Sequence, residues 1–169
     1  DLSTEIPTLE SPLNGSTVSD TIFAKFELLE AALSESVKLV ISDPSGLDEN
    51  SPHILVLGSS FETMGTHSVN IPTSELSSAV GVSSVSSGSS DKLLHGLNYQ
   101  MEVRMQDDLG NSQASSTKSN IFVDLVSEGT QFVSMLNDVS MGANIGVSIG
   151  NIEPISHQDF KFIIEHKAG

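Results

Sequence analysis

Between Leu97 and Asn111 the chain reads LNYQMEVRMQDDLGN. Leu97, Tyr99, Met101, Val103 and Met105 alternate without a break against Asn98, Gln100, Glu102, Arg104 and Gln106. A two-residue period sends one set to an interior face and the other to water, the pattern of a half-buried antiparallel strand. Asp107-Asp108-Leu109-Gly110-Asn111 supplies a turn, because Asp and Asn close local hydrogen bonds and Gly takes a positive φ without steric cost. A polar run follows, and then a second alternating stretch, Asn120-Ile121-Phe122-Val123-Asp124. Together these predict a long strand, a tight turn and a return strand, which close a β-hairpin.

The same reading extends along the chain. Residues 1–10 are polar and read as a linker or strand, with Ile6-Pro7 pushing the backbone into an extended form. Ser11-Pro12 and Asn14-Gly15 mark a turn. From Thr21 to Glu27, Ile22, Ala24 and Phe26 alternate with Phe23, Lys25 and Glu27, which predicts a strand. Leu28 to Ser36 reads as a helical turn or as a loop between sheets. Val37, Leu39 and Ile41 predict the next strand, and Asp43-Pro44-Ser45-Gly46 ends it with a strong turn signal. His53 to Leu57 is a short apolar strand; His67, Val69 and Ile71 share one face of another, which Pro72 ends. Thr73 to Lys92 is Ser- and Gly-rich and almost uncharged, and it predicts a helical turn followed by an ordered crossover loop, with ligand binding as the rival role for a loop of this length.

After Leu125 the texture changes. Ser127-Glu128-Gly129-Thr130 reads as a boundary, and three strand-like pieces follow around Phe132-Val133, Asn144 to Ile149 and Phe160 to Ile164. So few strands make a marginal domain alone. Phe132, Phe160, Phe162 and Ile164 are too apolar to stay in water, so they are expected to form an interface with the chain's own core, a neighbouring module or another copy.

The hairpin also carries a resemblance. A Tyr near the start of a penultimate strand, with a core position two residues later, is the tyrosine-corner arrangement of immunoglobulin-like sandwiches. Here the pair is Tyr99 and Met101. With the opening Ser11-Pro12-Leu13-Asn14-Gly15-Ser16-Thr17-Val18 and the Asp107–Asn111 turn, residues 6 to 125 resemble the bacterial-type Ig-like (fibronectin-III/immunoglobulin-like) modules of large extracellular surface, adhesin or filament proteins. The chain departs from the antibody pattern in having no Cys and no Trp. The resemblance implies an all-β, immunoglobulin-like antiparallel β-sandwich over 11–125, with a strand-rich C-terminal extension or partial second domain over 126–169.

Composition narrows the function classes. The 169 residues are 37% hydrophobic, enough for a real core in one domain or a domain with an appendage. A net charge of −15 with only seven Lys and Arg argues against nucleic acid and against an anionic membrane surface. No apolar run reaches the roughly 18 to 20 residues of a membrane span. Starting at Asp1 without Met suggests a processed chain, and with an acidic, Ser-rich surface this points to an exported, cell-surface or extracellular protein. Without Cys there are no disulfides and no thiolate metal sites.

Candidate chemistry is sparse. His53, His67, His95, His157 and His166 fall at no zinc-binding spacing, and nucleophile, phosphate-loop and dinucleotide motifs are missing. Calcium is the one candidate cofactor, because hard cations take clustered oxygens. Asp107, Asp108 and Asn111 share one turn, and Asp43, Asp48, Glu49 and Asn50 share another. Turn formation alone also explains these residues. Asn14-Gly15-Ser16 is an N-glycosylation acceptor, expected on a surface turn where the host has that machinery. The expected function is a non-enzymatic structural module of an extracellular adhesin, fibre or surface appendage, assembling with copies of itself or with adjacent modules. The alternative is a carbohydrate-binding module on the same scaffold, against which a single Tyr and 5% aromatics count.

Overall fold

Alternation along the strands decides which side chains become interior. The computed structural model describes residues 2–125. The strands are β1 (Thr8–Ser11), β2 (Thr17–Val18), β3 (Thr21–Leu28), β4 (Lys38–Ser42), β5 (His53–Leu57), β6 (Gly65–Pro72), β7 (Val82–Ser86), β8 (Asn98–Met105) and β9 (Ala114–Val123). Among the described residues they form a three-stranded sheet, β1-β3-β6, and a six-stranded sheet, β2-β9-β8-β4-β5-β7. Ile22, Ala24, Phe26 and Leu28 of the small sheet and Leu39, Ile41, Leu55, Leu57, Tyr99, Met101, Val103 and Met105 of the large sheet bury against one another in a single cluster. The described chain is therefore an all-β, two-sheet sandwich.

The hairpin forms as its pattern predicts, with β8 antiparallel to β9. Its return strand is longer than the apolar alternation suggests, because β9 begins at Ala114 inside the polar run. A bulge explains why. Tyr99 faces Ile121 but Met101 faces Lys118, so β9 carries one extra residue there, and Asn120 takes a φ of 57°. Beyond the bulge Ile121 and Val123 enter the core; before it the half-buried positions are Ala114, Ser116 and Lys118. The inward phase thus changes from even to odd numbers. Ser116 has its own use, since its Oγ accepts the Leu9 backbone N–H at 2.9 Å and ties β9 to β1 of the other sheet.

Three further strands, β1, β2 and β7, leave little or no trace in the alternation. Part of the N-terminal stretch is β1, antiparallel to β3 and anchored by buried Leu9. The chain then crosses to the large sheet, where β2 runs parallel to β9. The crossover region Thr73–Lys92 contains the expected helical turn, a 3₁₀ turn at Leu76–Ser78, but then forms β7 against β5. The β5–β7 register slips between Val56 and Leu57, so the half-buried residues of β7 are Val82 and Val85, three apart. Leu28 ends β3, and residues 29–36 form a loop over the hairpin end: Leu33 N–H donates to the Gln106 carbonyl, and Ala32 forms an isolated bridge with Asp107.

The extension over 126–169, including Phe132, Phe160, Phe162 and Ile164, lies outside the described residues.

Met101→Ala should cost about 2–5 kcal/mol, the usual penalty for emptying a buried methionine site, because Met101 is fully enclosed on β8. Gln100→Ala, on the opposite face, should stay within about 0.5 kcal/mol. Urea midpoints of the two variants check this; equal losses would refute the register.

Candidate functional site

His53 sits on the inward phase of β5 with Leu55 and Leu57, and it is fully buried. A buried imidazole needs partners for both ring nitrogens. Nε2 lies 2.9 Å from Asp48 Oδ2, and Nδ1 lies 2.8 Å from Ser87 Oγ. A carboxylate oxygen only accepts, so Nε2 carries the proton toward Asp48. The same Asp48 oxygen accepts the Tyr99 hydroxyl at 2.8 Å, and its Oδ1 accepts the Asn50 N–H at 3.0 Å. Tyr99 Oη in turn accepts the Leu94 N–H at 2.9 Å, five residues upstream. The phenol thus closes the corner before its own strand.

The surrounding loops extend this network. Asp43 folds the turn after β4 around its carboxylate: Oδ1 accepts from the Ser45 N–H and hydroxyl, and Oδ2 accepts the N–H groups of Leu47 and Asp48. Asn50 reaches the segment after β7. Its Oδ1 accepts the N–H groups of Ser89 and Ser90, and its carbonyl accepts the N–H of Gly88. The approach is close enough to require glycine, since a Cβ on residue 88 would lie 2.6 Å from Asn50 Oδ1. An open groove of about 530 Å³ runs along residues 85–91 beside this contact.

The carboxylates are held charged. Burial alone would raise the Asp48 pKa, but the hydrogen bonds from His53 and Tyr99 and the Asn50 N–H outweigh it, and the net shift is downward. Asp43 and Asp107 follow the same logic, with burial opposed by donors from Ser45 and neighbouring amides in one case and from Asn111 in the other. Tyr99 moves the opposite way. Burial is the main cause that pushes its phenol well above the usual value, the Leu94 N–H opposes it, and the Asp48 charge adds to the rise.

Ser87, His53 and Asp48 thus line up as hydroxyl, imidazole and carboxylate. An acyl-transfer site built this way also needs amide donors free to receive an oxyanion. The amides beside Ser87, those of Gly88, Ser89 and Ser90, all donate to Asn50. What the arrangement does is fasten the 43–50 loop, β5, β8 and the segment after β7 to one buried carboxylate.

The sequence-predicted site residues fall as follows. Asp107 is buried and its carboxylate accepts the Asn111 backbone N–H at 2.8 Å and the Asn111 side-chain amide. Asp108 is exposed and Asn111 is half-buried, so the turn residues diverge. Among the described residues no group of three or more His, Cys, Asp or Glu is placed to hold a metal ion. Asn14 is exposed on a turn, and its Oδ1 accepts the Ser119 N–H at the β9 bulge. His67 packs against the rings of Phe26 and Phe61, and His95 lies 3.5 Å from Asp124. His157 and His166 lie outside the described residues.

The Asp48–His53–Ser87 contact escapes a sequence reading that weighs Asp48 and His53 separately. Its one signal is the phase of His53, inward with Leu55 and Leu57, which demands buried partners. Among the described residues no helix is long and apolar enough to cross a membrane. Compared with protein-family models, with curated proteins and with solved structures, the chain matches none.

Stability should depend on pH at both ends. Carboxylates with lowered folded pKa contribute stability above their unfolded value near ~4 and lose it as pH falls through the folded value. The melting temperature should therefore drop in acid, and Asp48→Asn should weaken that dependence while costing about 1–3 kcal/mol at neutral pH. A raised phenol pKa acts in the other direction: its contribution is present below about pH 10 and lost above it. Tyr99 is the only Tyr, so tyrosinate absorbance should rise only as the protein unfolds in base. Its appearance in a folded protein would refute the buried placement.

Excess chelator should leave the melting temperature unchanged, because the Asp107 oxygens are engaged by Asn111. A fall of several degrees in a chelator titration that Asp107→Asn abolishes would place a structural cation in this turn.

Proposed function

We propose that this chain is a non-enzymatic, immunoglobulin-like structural module of an extracellular adhesin, fibre or surface appendage, which assembles through β-strand contacts with neighbouring copies or modules. The observation that carries the reading is that, among the described residues, each sheet ends on an edge of useful length with no strand beyond it. Among the described residues, β6 bonds only to β3 and β7 only to β5. Such edges present rows of unpaired N–H and C=O groups that an added strand can satisfy. The immunoglobulin-like part draws support from the Tyr99–Leu94 hydrogen bond and from β2 lying parallel beside the last strand while β1 pairs in the other sheet. The buried polar groups around Asp48 direct their hydrogen bonds to the protein's own loops, as suits a load-carrying scaffold.

Carbohydrate binding is the second reading, favoured by the hydroxyls of Ser86, Ser87, Ser89 and Ser90 along the open groove. Sugar faces use aromatic platforms, and Tyr99 is fully buried.

Sedimentation of the full chain over a wide concentration range, alongside a glycan array, separates the two. The expected result is concentration-dependent assembly without glycan binding. A monomer at every concentration that binds one glycan class would replace the first reading with the second.

A further inference from the structure

The turn between β1 and β2 holds a pair of residues whose chemistry makes it labile. Asn14-Gly15 is the one Asn-Gly pair in the chain, and Asp-Gly does not occur. In a free peptide such a pair loses ammonia readily, because glycine has no side chain to hinder attack by its backbone nitrogen on the asparagine carboxamide. The turn uses the glycine for its conformation. Gly15 takes a φ of +74°, the left-handed region that glycine enters at no steric cost, although a Cβ there would meet no atom within 4 Å.

Ser119, at the β9 bulge, engages both reacting groups. Its N–H donates to Asn14 Oδ1 at 2.7 Å, and its carbonyl accepts the Gly15 N–H at 3.1 Å. The nitrogen that would attack therefore points its proton at a β9 carbonyl, and the carboxamide that would be attacked is fixed by a β9 amide. Just beyond, the Phe122 N–H donates to the Ser16 carbonyl at 2.9 Å and the Asp124 N–H to the Val18 carbonyl at 2.8 Å. Among the described residues β2 is two residues long and pairs only with β9, so these contacts carry its attachment to the large sheet. The Asn14–Ser119 bond spans 105 positions. It exists only once β9 has docked.

We propose that Asn14-Gly15 is a fold-guarded site of spontaneous deamidation and backbone isomerisation, unreactive while β9 is docked and reactive when it is not. With the clamp open, the Gly15 nitrogen gives its proton to solvent base and bonds to Asn14 Cγ. The Cγ–Nδ2 bond breaks and ammonia leaves, which closes a succinimide ring. Water then opens the ring. Breaking the new N–Cγ bond gives aspartate, and breaking the original peptide bond to the main-chain carbonyl gives isoaspartate. Nothing is oxidised or reduced; one water is consumed and one ammonia released. The two products differ in consequence. Aspartate keeps an oxygen where Asn14 Oδ1 accepts the Ser119 N–H. Isoaspartate routes the backbone through the side chain and lengthens it by one carbon, which puts Gly15, Ser16 and β2 out of step with β9. The site acts whether or not the chain assembles, and each isomerised copy keeps a record of having opened.

Mass spectrometry of the full-length chain, made in a host without N-glycosylation, reads the site directly. The chain is incubated in mildly alkaline buffer, folded and in urea, beside a short peptide spanning Leu13 to Thr17 under the same conditions. The urea-unfolded chain should convert Asn14 at the rate of the peptide. The folded chain should convert it at least about tenfold more slowly, since two hydrogen bonds must open together. Amide hydrogen exchange should show the Gly15 and Ser119 N–H groups protected to at least the same degree. After refolding, the isoaspartate form should melt below the wild type, while Asn14→Asp should melt with it. Equal rates in the folded chain and the peptide would show that no guard exists. Slow conversion with Gly15 and Ser119 amides exchanging at unfolded rates would overturn Ser119 as the guard. An isoaspartate form that melts like the wild type would overturn the tie between this site and β2.

Discussion

The carboxylate of Asp48 is the constraint on which this side of the sandwich depends. An unpaired buried charge costs far more than the marginal stability of a folded domain, so Asp48 stays inside only while its donors are in place. Those donors come from separate parts of the chain: Tyr99 on β8, His53 on β5 and the Asn50 amide in its own loop. Each is itself positioned by something else. Tyr99 is held by strand alternation and by the Leu94 amide, and His53 by its phase on β5 and by Ser87. The result is mutual dependence, in which the 43–50 loop cannot rearrange without leaving both a phenol and an imidazole short of a partner.

How much of this was legible depends on whether a strand's face meets the core. β3, β4, β5, β6 and β8 fall where period-2 alternation places them, because their inward residues pack on the opposite sheet and must be apolar. The first half of β9 and all of β7 escaped for physical reasons. Ser116 faces β1 and accepts a backbone hydrogen bond, so no apolar residue is required there. The bulge at Asn120 then reverses the inward phase, and the register slip beside β7 stretches its spacing from two to three. A periodicity search averages such shifts away. Residues 1–10 stayed open between linker and strand because one buried residue, Leu9, anchors β1.

The site was legible in parts and not as a whole. Clustered Asp and Asn residues after β4 and β8 announce turns, and both turns form around a buried carboxylate, Asp43 in one and Asp107 in the other. What sequence spacing could not give is the meeting of Asp48, His53, Ser87 and Tyr99, in which the Tyr99–Asp48 bond spans 51 positions and only the sheet order β8-β4-β5-β7 joins the partners. Long-range polar contacts of this kind have no local signature. Their nearest sequence trace is a polar residue on an inward phase, as with His53.

The uncharged Ser- and Gly-rich segment links the interior to the edge. Its first part forms β7, and its second part, Ser87 to Ser90, is pinned from within by His53 and Asn50. Small residues serve both ends, because Gly88 lets Asn50 approach and serine hydroxyls satisfy acceptors without charge. An edge strand is bonded on one side only, so its order depends on what pins its end and its inner face. The buried network after β7 supplies that order at one end of the strand, and the Val82 and Val85 side chains packed on the core supply it along the strand's length.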